Sequence, residues 1–135
     1  MMTKNLFLID DDEDDIFLFC EALAQIPIPI ALTPFTNCGA AFAKLESGVV
    51  PDIIFLDLNM PLMDGKEFLS MLKTLDNFNT PVIIYSTSNF QRDIDESMAL
   101  GASQYMIKQG DFNLLCSLLK NVLYEQTDSL KTKLG

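Results

Sequence analysis

Four short apolar runs recur along the chain: Leu6-Phe7-Leu8-Ile9, Ile53-Ile54-Phe55-Leu56, Val82-Ile83-Ile84-Tyr85 and Tyr105-Met106-Ile107. The first three are continuous rather than alternating, which predicts strands covered on both faces. A weaker run, Ile30-Ala31-Leu32-Thr33, sits among Pro27, Pro29 and Pro34. It reads as an edge strand, because proline cannot donate to a ladder. Between the runs, helical spacing takes over. It covers residues 14–25 and then 37–46, where Ser47-Gly48 stops it. Residues 65–75 set Phe68, Leu69 and Leu72 on one side, and residues 89–100 end before Gly101, which suits a left-handed helix exit. Asp111 can cap a last helix whose Leu115, Leu118, Leu119 and Val122 follow the i, i+3, i+4, i+7 pattern.

Five strand–helix pairs in alternation predict an α/β fold, with a parallel sheet, right-handed crossovers and helices on both faces. No internal repeat or linker interrupts the alternation. Residues 125–135 are too few for a further domain and are expected to extend the last helix or form a tail. Phe17, Phe19, Phe42, Phe55 and Phe68 are expected in the core.

At 135 residues and 49% hydrophobic the chain can fill one core, so a single domain is expected. Nineteen acids against nine bases give a net charge of −10, and Arg92 is the one arginine. Such a surface repels phosphate backbones and anionic lipid, which argues against nucleic-acid and membrane-surface partners. A protein partner is expected instead. No apolar run approaches the roughly 18 residues needed to span a bilayer, and the first apolar stretch runs into six consecutive acids, unlike a signal peptide. A soluble, cytoplasmic protein is the expectation. Cys20, Cys38 and Cys116 are widely spaced and form no C-x-x-C pair, so they read as buried apolar residues in a reducing compartment. Histidine is absent, which removes Ser-His and Cys-His nucleophiles.

In open parallel sheets, ligands bind beyond the carboxyl ends of the strands. Here the first strand ends in Asp10-Asp11, the third in Asp57, the fourth in Ser86-Thr87 and the fifth in Lys108. Three carboxylates crowded at one edge need more countercharge than a single lysine supplies. A hard divalent cation supplies it: Mg²⁺ favours carboxylate, water and phosphate oxygens, and Mn²⁺ could substitute. A cation, a lysine and a hydroxyl around one aspartate suit phosphoryl transfer, in which negative charge spreads over three equatorial oxygens. Asp57 would then be the nucleophile, with Lys108 and Ser86 on the phosphoryl oxygens.

With these residues in order and at this spacing, the chain resembles the receiver domain of two-component response regulators, of the stand-alone, chemotaxis-regulator type. The resemblance rests on Ile9-Asp10-Asp11, on Leu56-Asp57-Leu58-Asn59-Met60-Pro61 with Asp64-Gly65, on Pro81 to Ser86, and on Gly101-Ala102 through Tyr105 to Lys108. It covers about residues 4–124, which makes these the receiver domain and 125–135 a C-terminal extension.

The resemblance implies a flavodoxin-like doubly wound five-stranded sheet in the order 2-1-3-4-5 with five helices. It implies metal binding by Asp10, Asp11, Asp57 and the Asn59 backbone carbonyl, and phosphoacceptance by Asp57. Ser86, Thr87 and Lys108 would surround the phosphate, and Ser86 and Tyr105 would form the switch that alters the face of the fourth helix, fifth strand and fifth helix. A histidine kinase or histidine phosphotransfer protein would be the donor, and an unidentified protein the recipient of the signal. The protein itself would be a monomer or weak homodimer and a phosphoacceptor rather than an enzyme.

Three departures stand out. Gln109 replaces the proline that usually follows the lysine, and a cis peptide there is far costlier without proline. Thr87 stands where a smaller residue is usual. The acidic run continues through Asp12, Glu13, Asp14 and Asp15, which read as acids favoured at a helix N-terminus. Two other readings compete. A phosphohydrolase with an aspartate nucleophile would need an acid two residues on, where Asn59 stands; a degenerate receiver would bind partners without phosphorylation.

Overall fold

The structure is a computed structural model that describes the backbone of residues 2–134 and the side chains of residues 2–125. Five strands, β1 (Lys4–Ile9), β2 (Ile30–Phe35), β3 (Ile53–Leu56), β4 (Val82–Ser86) and β5 (Gln104–Ile107), alternate with five helices. The helices are α1 (Glu13–Ala24), α2 (Cys38–Glu46), α3 (Gly65–Leu72), α4 (Gln91–Ala99) and α5 (Phe112–Leu134). All ladders are parallel and the order is β2-β1-β3-β4-β5, as the resemblance implies.

Strand alternation divides the apolar residues between two cores. Phe7 and Ile9 face one way with Ile54 and Leu56, against Phe42, Leu45, Phe68 and Leu69 of α2 and α3. Leu6 and Leu8 face the other way with Phe55 and Ile83, against Phe19, Leu23, Leu119 and Leu123 of α1 and α5. Strands with both faces covered can be apolar throughout. β3 and β4 are buried at every position.

Some boundaries differ from the sequence expectation. β2 runs through Pro34 to Phe35 and not only to Thr33, because it pairs with β1 alone and can spare the missing N–H on its open side. α3 ends at Leu72 rather than residue 75: Lys73, Thr74 and Leu75 close three-residue turns to Ser70, Met71 and Leu72. Asn77 then turns the chain at φ 58°. Phe17 is 63% exposed and not in the core. It stands two residues from the buried Phe19, about 200° around the helix, so the two cannot share a face. Cys20 is likewise exposed, while Cys38 is buried and Cys116 half-buried. The backbone of α5 continues to Leu134, which takes in residues 125–134 of the expected extension; Gly135 lies outside the described residues. Among the described residues no helix is long and apolar enough to cross a membrane.

Candidate functional site

The carboxyl ends of β1, β3, β4 and β5 converge because the ladder hydrogen bonds continue one step past the strands. Asp10 N–H donates to Phe35 O at 2.9 Å, Asp57 N–H to Ile9 O at 3.0 Å, and Lys108 N–H to Ser86 O at 2.8 Å. This register fixes the backbone of Asp10, Asp57 and Lys108 before any side chain is considered. Asp10 is fully buried and Asp57 6% exposed, whereas Asp11 lies open to solvent.

One ligand oxygen from each of Asp10, Asp11 and Asp57 falls within 4.8 Å of the others. Backbone donors orient the two buried members. Asp12 N–H donates to Asp10 Oδ1 at 2.9 Å, and Asn59 N–H to Asp57 Oδ1 at 3.1 Å. The remaining oxygens face Lys108, whose Nζ lies 2.7 Å from Asp10 Oδ2 and 3.0 Å from Asp57 Oδ2. Burial raises the Asp10 pKa, against the opposing pull of Lys108 and the Asp12 N–H. For Lys108, burial works to lower the pKa, but its hydrogen bonds to Asp10, Asp15 and Asp57, with the negative charge of Asp57, outweigh it and hold the ammonium above its usual value. One lysine against this set of acids leaves excess negative charge. Three convergent hard oxygens without nitrogen or sulfur donors fit a small divalent cation.

Around this centre stand the other expected residues. Ser86 is fully buried, and its Oγ accepts from Ser88 N–H at 3.2 Å. Thr87 is exposed at the rim. Asn59 is exposed, with its backbone N–H turned to Asp57. Tyr105 is half-buried on β5, and its hydroxyl donates to Ser88 O at 2.8 Å. Ser86 and Tyr105 therefore meet at the backbone of one residue, Ser88, in the β4–α4 loop. Ser88 Oγ in turn donates to Asp93, which with Glu96 holds Lys66 of α3 at 2.6 and 2.7 Å. The Lys108–Gln109 peptide is trans.

Sequence reasoning missed three participants. Asp15 is more than a helix-start acid: its Oδ2 lies 2.8 Å from Lys108 Nζ. It sits in the first turn of α1, inside a run of six acids in which no spacing marks it out. Asp12, by contrast, does cap α1, accepting from Asp14 and Asp15 N–H. Gly65 touches the site through its backbone. A Cβ there would stand 2.7 Å from Asp57 O and 2.8 Å from Leu58 Cα, so only glycine fits. Tyr85 lies under the lysine, with Nζ 5.1 Å from its ring centre. Burial pushes its phenol up to about 12, against a smaller opposing effect of Lys108.

The sequence and the fold also match known proteins. The family model of the response regulator receiver domain matches residues 6–120. Response regulator Rcp1 of Synechocystis is 29% identical over 126 residues, covering 88% of this chain and 86% of Rcp1. The phosphorylated cyanobacterial phytochrome response regulator RcpA superposes with a TM-score of 0.82 at 32% identity, covering 90% of this chain and 91% of that one. The Mn²⁺-bound form of Rcp1 gives 0.78 at 28% identity, covering 88% and 91%.

Proposed function

The chain belongs to the response regulator receiver domain family, and from that premise we propose that it accepts a phosphoryl group on Asp57 from a phosphohistidine donor and relays the change to a partner protein. Receiver domains are signalling proteins, and response regulators take their phosphate from histidine kinases; the donor here is a histidine kinase or a histidine phosphotransfer protein. The observation that carries the reading is the placement of Asp57. Its carboxylate is 9% exposed, ion-paired to Lys108 at 3.0 Å, and shares a three-oxygen cluster with Asp10 and Asp11.

A divalent cation, Mg²⁺ or Mn²⁺, would be held by Asp10, Asp11, Asp57 and the Asn59 carbonyl, and when bound it supplies positive charge to the transferring phosphoryl oxygens. An Asp57 oxygen attacks phosphorus; the O–P bond forms as the P–N bond to the donor imidazole breaks, and the leaving nitrogen keeps the electron pair. Lys108 needs little movement to meet a phosphoryl oxygen, because its Nζ already touches Asp57. Ser86 Oγ and Thr87 stand on the β4 side of the group. Asn59, two residues after Asp57, offers an amide and no acid for protonating a leaving group, which favours a phosphoacceptor over a phosphatase.

Drawing Ser86 Oγ toward a phosphoryl oxygen competes with its bond from Ser88 N–H, and Ser88 O is the acceptor that holds Tyr105. A phosphoryl group thus loosens the Tyr105 anchor and alters the face of α4, β5 and α5. This is a local charge event with a wider readout. The receiver unit is residues 4–124, acting in the cytoplasm as a monomer or weak homodimer, with 125–135 as an extension.

Incubating the protein with acetyl phosphate and Mg²⁺ should give a retarded band on Phos-tag gels that is absent in Asp57→Asn and without Mg²⁺. An equal shift in Asp57→Asn would end the assignment of the acceptor.

A further inference from the structure

Lys108 Nζ has three N–H bonds, and three carboxylates take them. Asp10 Oδ2 lies at 2.7 Å, Asp15 Oδ2 at 2.8 Å and Asp57 Oδ2 at 3.0 Å. Two of these partners belong to the oxygen cluster that fits a cation; Asp15 does not. Their fates during phosphoryl transfer therefore differ. Asp57 loses its negative charge when it becomes an acyl phosphate, and Asp10 shares its charge with a bound cation. Only Asp15 remains an undivided acceptor for the ammonium throughout.

Apart from the Tyr85 ring beneath Nζ, the lysine has few other restraints. Behind it the β5–α5 loop passes through exposed Gln109 and through Gly110 at φ 70°, neither of which grips the side chain. Asp15 is better anchored. It sits in the first turn of α1, where the Asp12 carboxylate accepts its backbone N–H. Its side chain is 29% exposed against 8% for Lys108, so it closes the solvent side of the buried ammonium.

We propose that Asp15 is a positioning residue for phosphoryl transfer, holding Lys108 Nζ from α1 as its third hydrogen bond passes from Asp57 to a phosphoryl oxygen. The proposal rests on the reading of Asp57 as the phosphoacceptor. A carboxylate that acted only through its negative charge would do the opposite, repelling the incoming phosphoryl group, so its removal would speed the reaction. The sign of the effect separates the two roles.

The test compares Asp15→Asn with Asp14→Asn in the full-length protein. Asp14 is exposed, belongs to the same helical turn and has no side-chain bond to Lys108, so its variant matches the loss of charge and of helix-start stabilisation. With acetyl phosphate and Mg²⁺, Asp15→Asn should phosphorylate about tenfold more slowly than wild type, since small misplacements of a catalytic group cost rate steeply. Asp14→Asn should stay within about twofold, and Asp15→Glu should recover part of the loss. A second readout needs neither phosphate nor metal. The Lys108 ammonium protons should give a slowly exchanging NMR signal in wild type and Asp14→Asn that broadens away in Asp15→Asn. An unchanged ammonium signal in Asp15→Asn, or a rate equal to or above that of Asp14→Asn, overturns the proposal. If wild type itself takes no phosphate, it is the acceptor reading that falls, and the ammonium signal alone then decides whether Asp15 holds Lys108.

Discussion

Tyr85 carries a consequence of burial that can be measured at a single residue. Its phenol is 7% exposed, beneath Lys108, and its pKa is raised from 10.0 to about 12. A folded-state pKa above the unfolded one contributes stability that is complete below the unfolded value and is lost as pH rises through the folded value. Between pH 10 and 12 the wild type should therefore lose about 2–3 kcal/mol relative to Tyr85→Phe, which has no proton to release. Urea unfolding followed by circular dichroism at pH 8 and pH 11, where about half of that loss should have developed, checks this; parallel losses in both proteins would refute it. Legibility also varies residue by residue. Asp10, Asp57 and Lys108 were readable because a polar residue directly after an apolar run has one place to go, the strand end. Asp15 was not, because inside a run of acids nothing in the letters separates the one that turns inward. Phe17 differs for a related reason: residue type suits both Phe17 and Phe19 to a core, and only their angle around the helix separates them.

Among the elements, α3 shows most clearly how a helix start and a strand end depend on each other. Asp64 caps α3 by accepting from Glu67 N–H at 2.9 Å, and Gly65 N–H donates to Leu58 O at 3.0 Å. These bonds lay the first turn of α3 against Leu58, the residue that follows Asp57. Gly65→Ala would place a methyl 2.7 Å from Asp57 O, against backbone that cannot swing aside. It should lower stability by about 1–3 kcal/mol and slow phosphorylation as well, because Asp57 must shift. Thermal unfolding together with the Phos-tag assay tests it, and a variant with unchanged midpoint and rate would refute it. At this scale strands and helices were largely legible, since each alternates with the next and most helices carry a polar cap. Ends were less so. α3 stops at Leu72 although apolar spacing continues to Leu75, because local turns and Asn77 redirect the chain. α4 starts at Gln91 without a side-chain cap; its first turn is tied instead by Asp93 to Ser88 and Lys66.

For the whole molecule the dominant fact is charge: −10 overall, with three of the acids gathered at one edge of the sheet. A ligand bound only by the native state stabilises it by mass action, about 2.7 kcal/mol at a hundredfold excess over its dissociation constant. Saturating Mg²⁺ should raise the thermal midpoint by about 5–10 °C, and Asp11→Asn should reduce that rise. Sodium chloride at equal ionic strength should give less, since it screens without occupying the cluster; an identical rise with either salt would argue against a cation site. The sequence by itself determined the fold class, the two-sided burial of the strands and the set of polar residues delivered to their carboxyl ends. Period and punctuation act locally, so one sequence suffices to read them. The tertiary structure decided which of those residues meet: Asp15 at Lys108, Gly65 against Asp57, and Ser86 with Tyr105 across Ser88. Such contacts join distant parts of the chain, and their distances follow from sheet register and helix packing, which no local pattern of letters specifies.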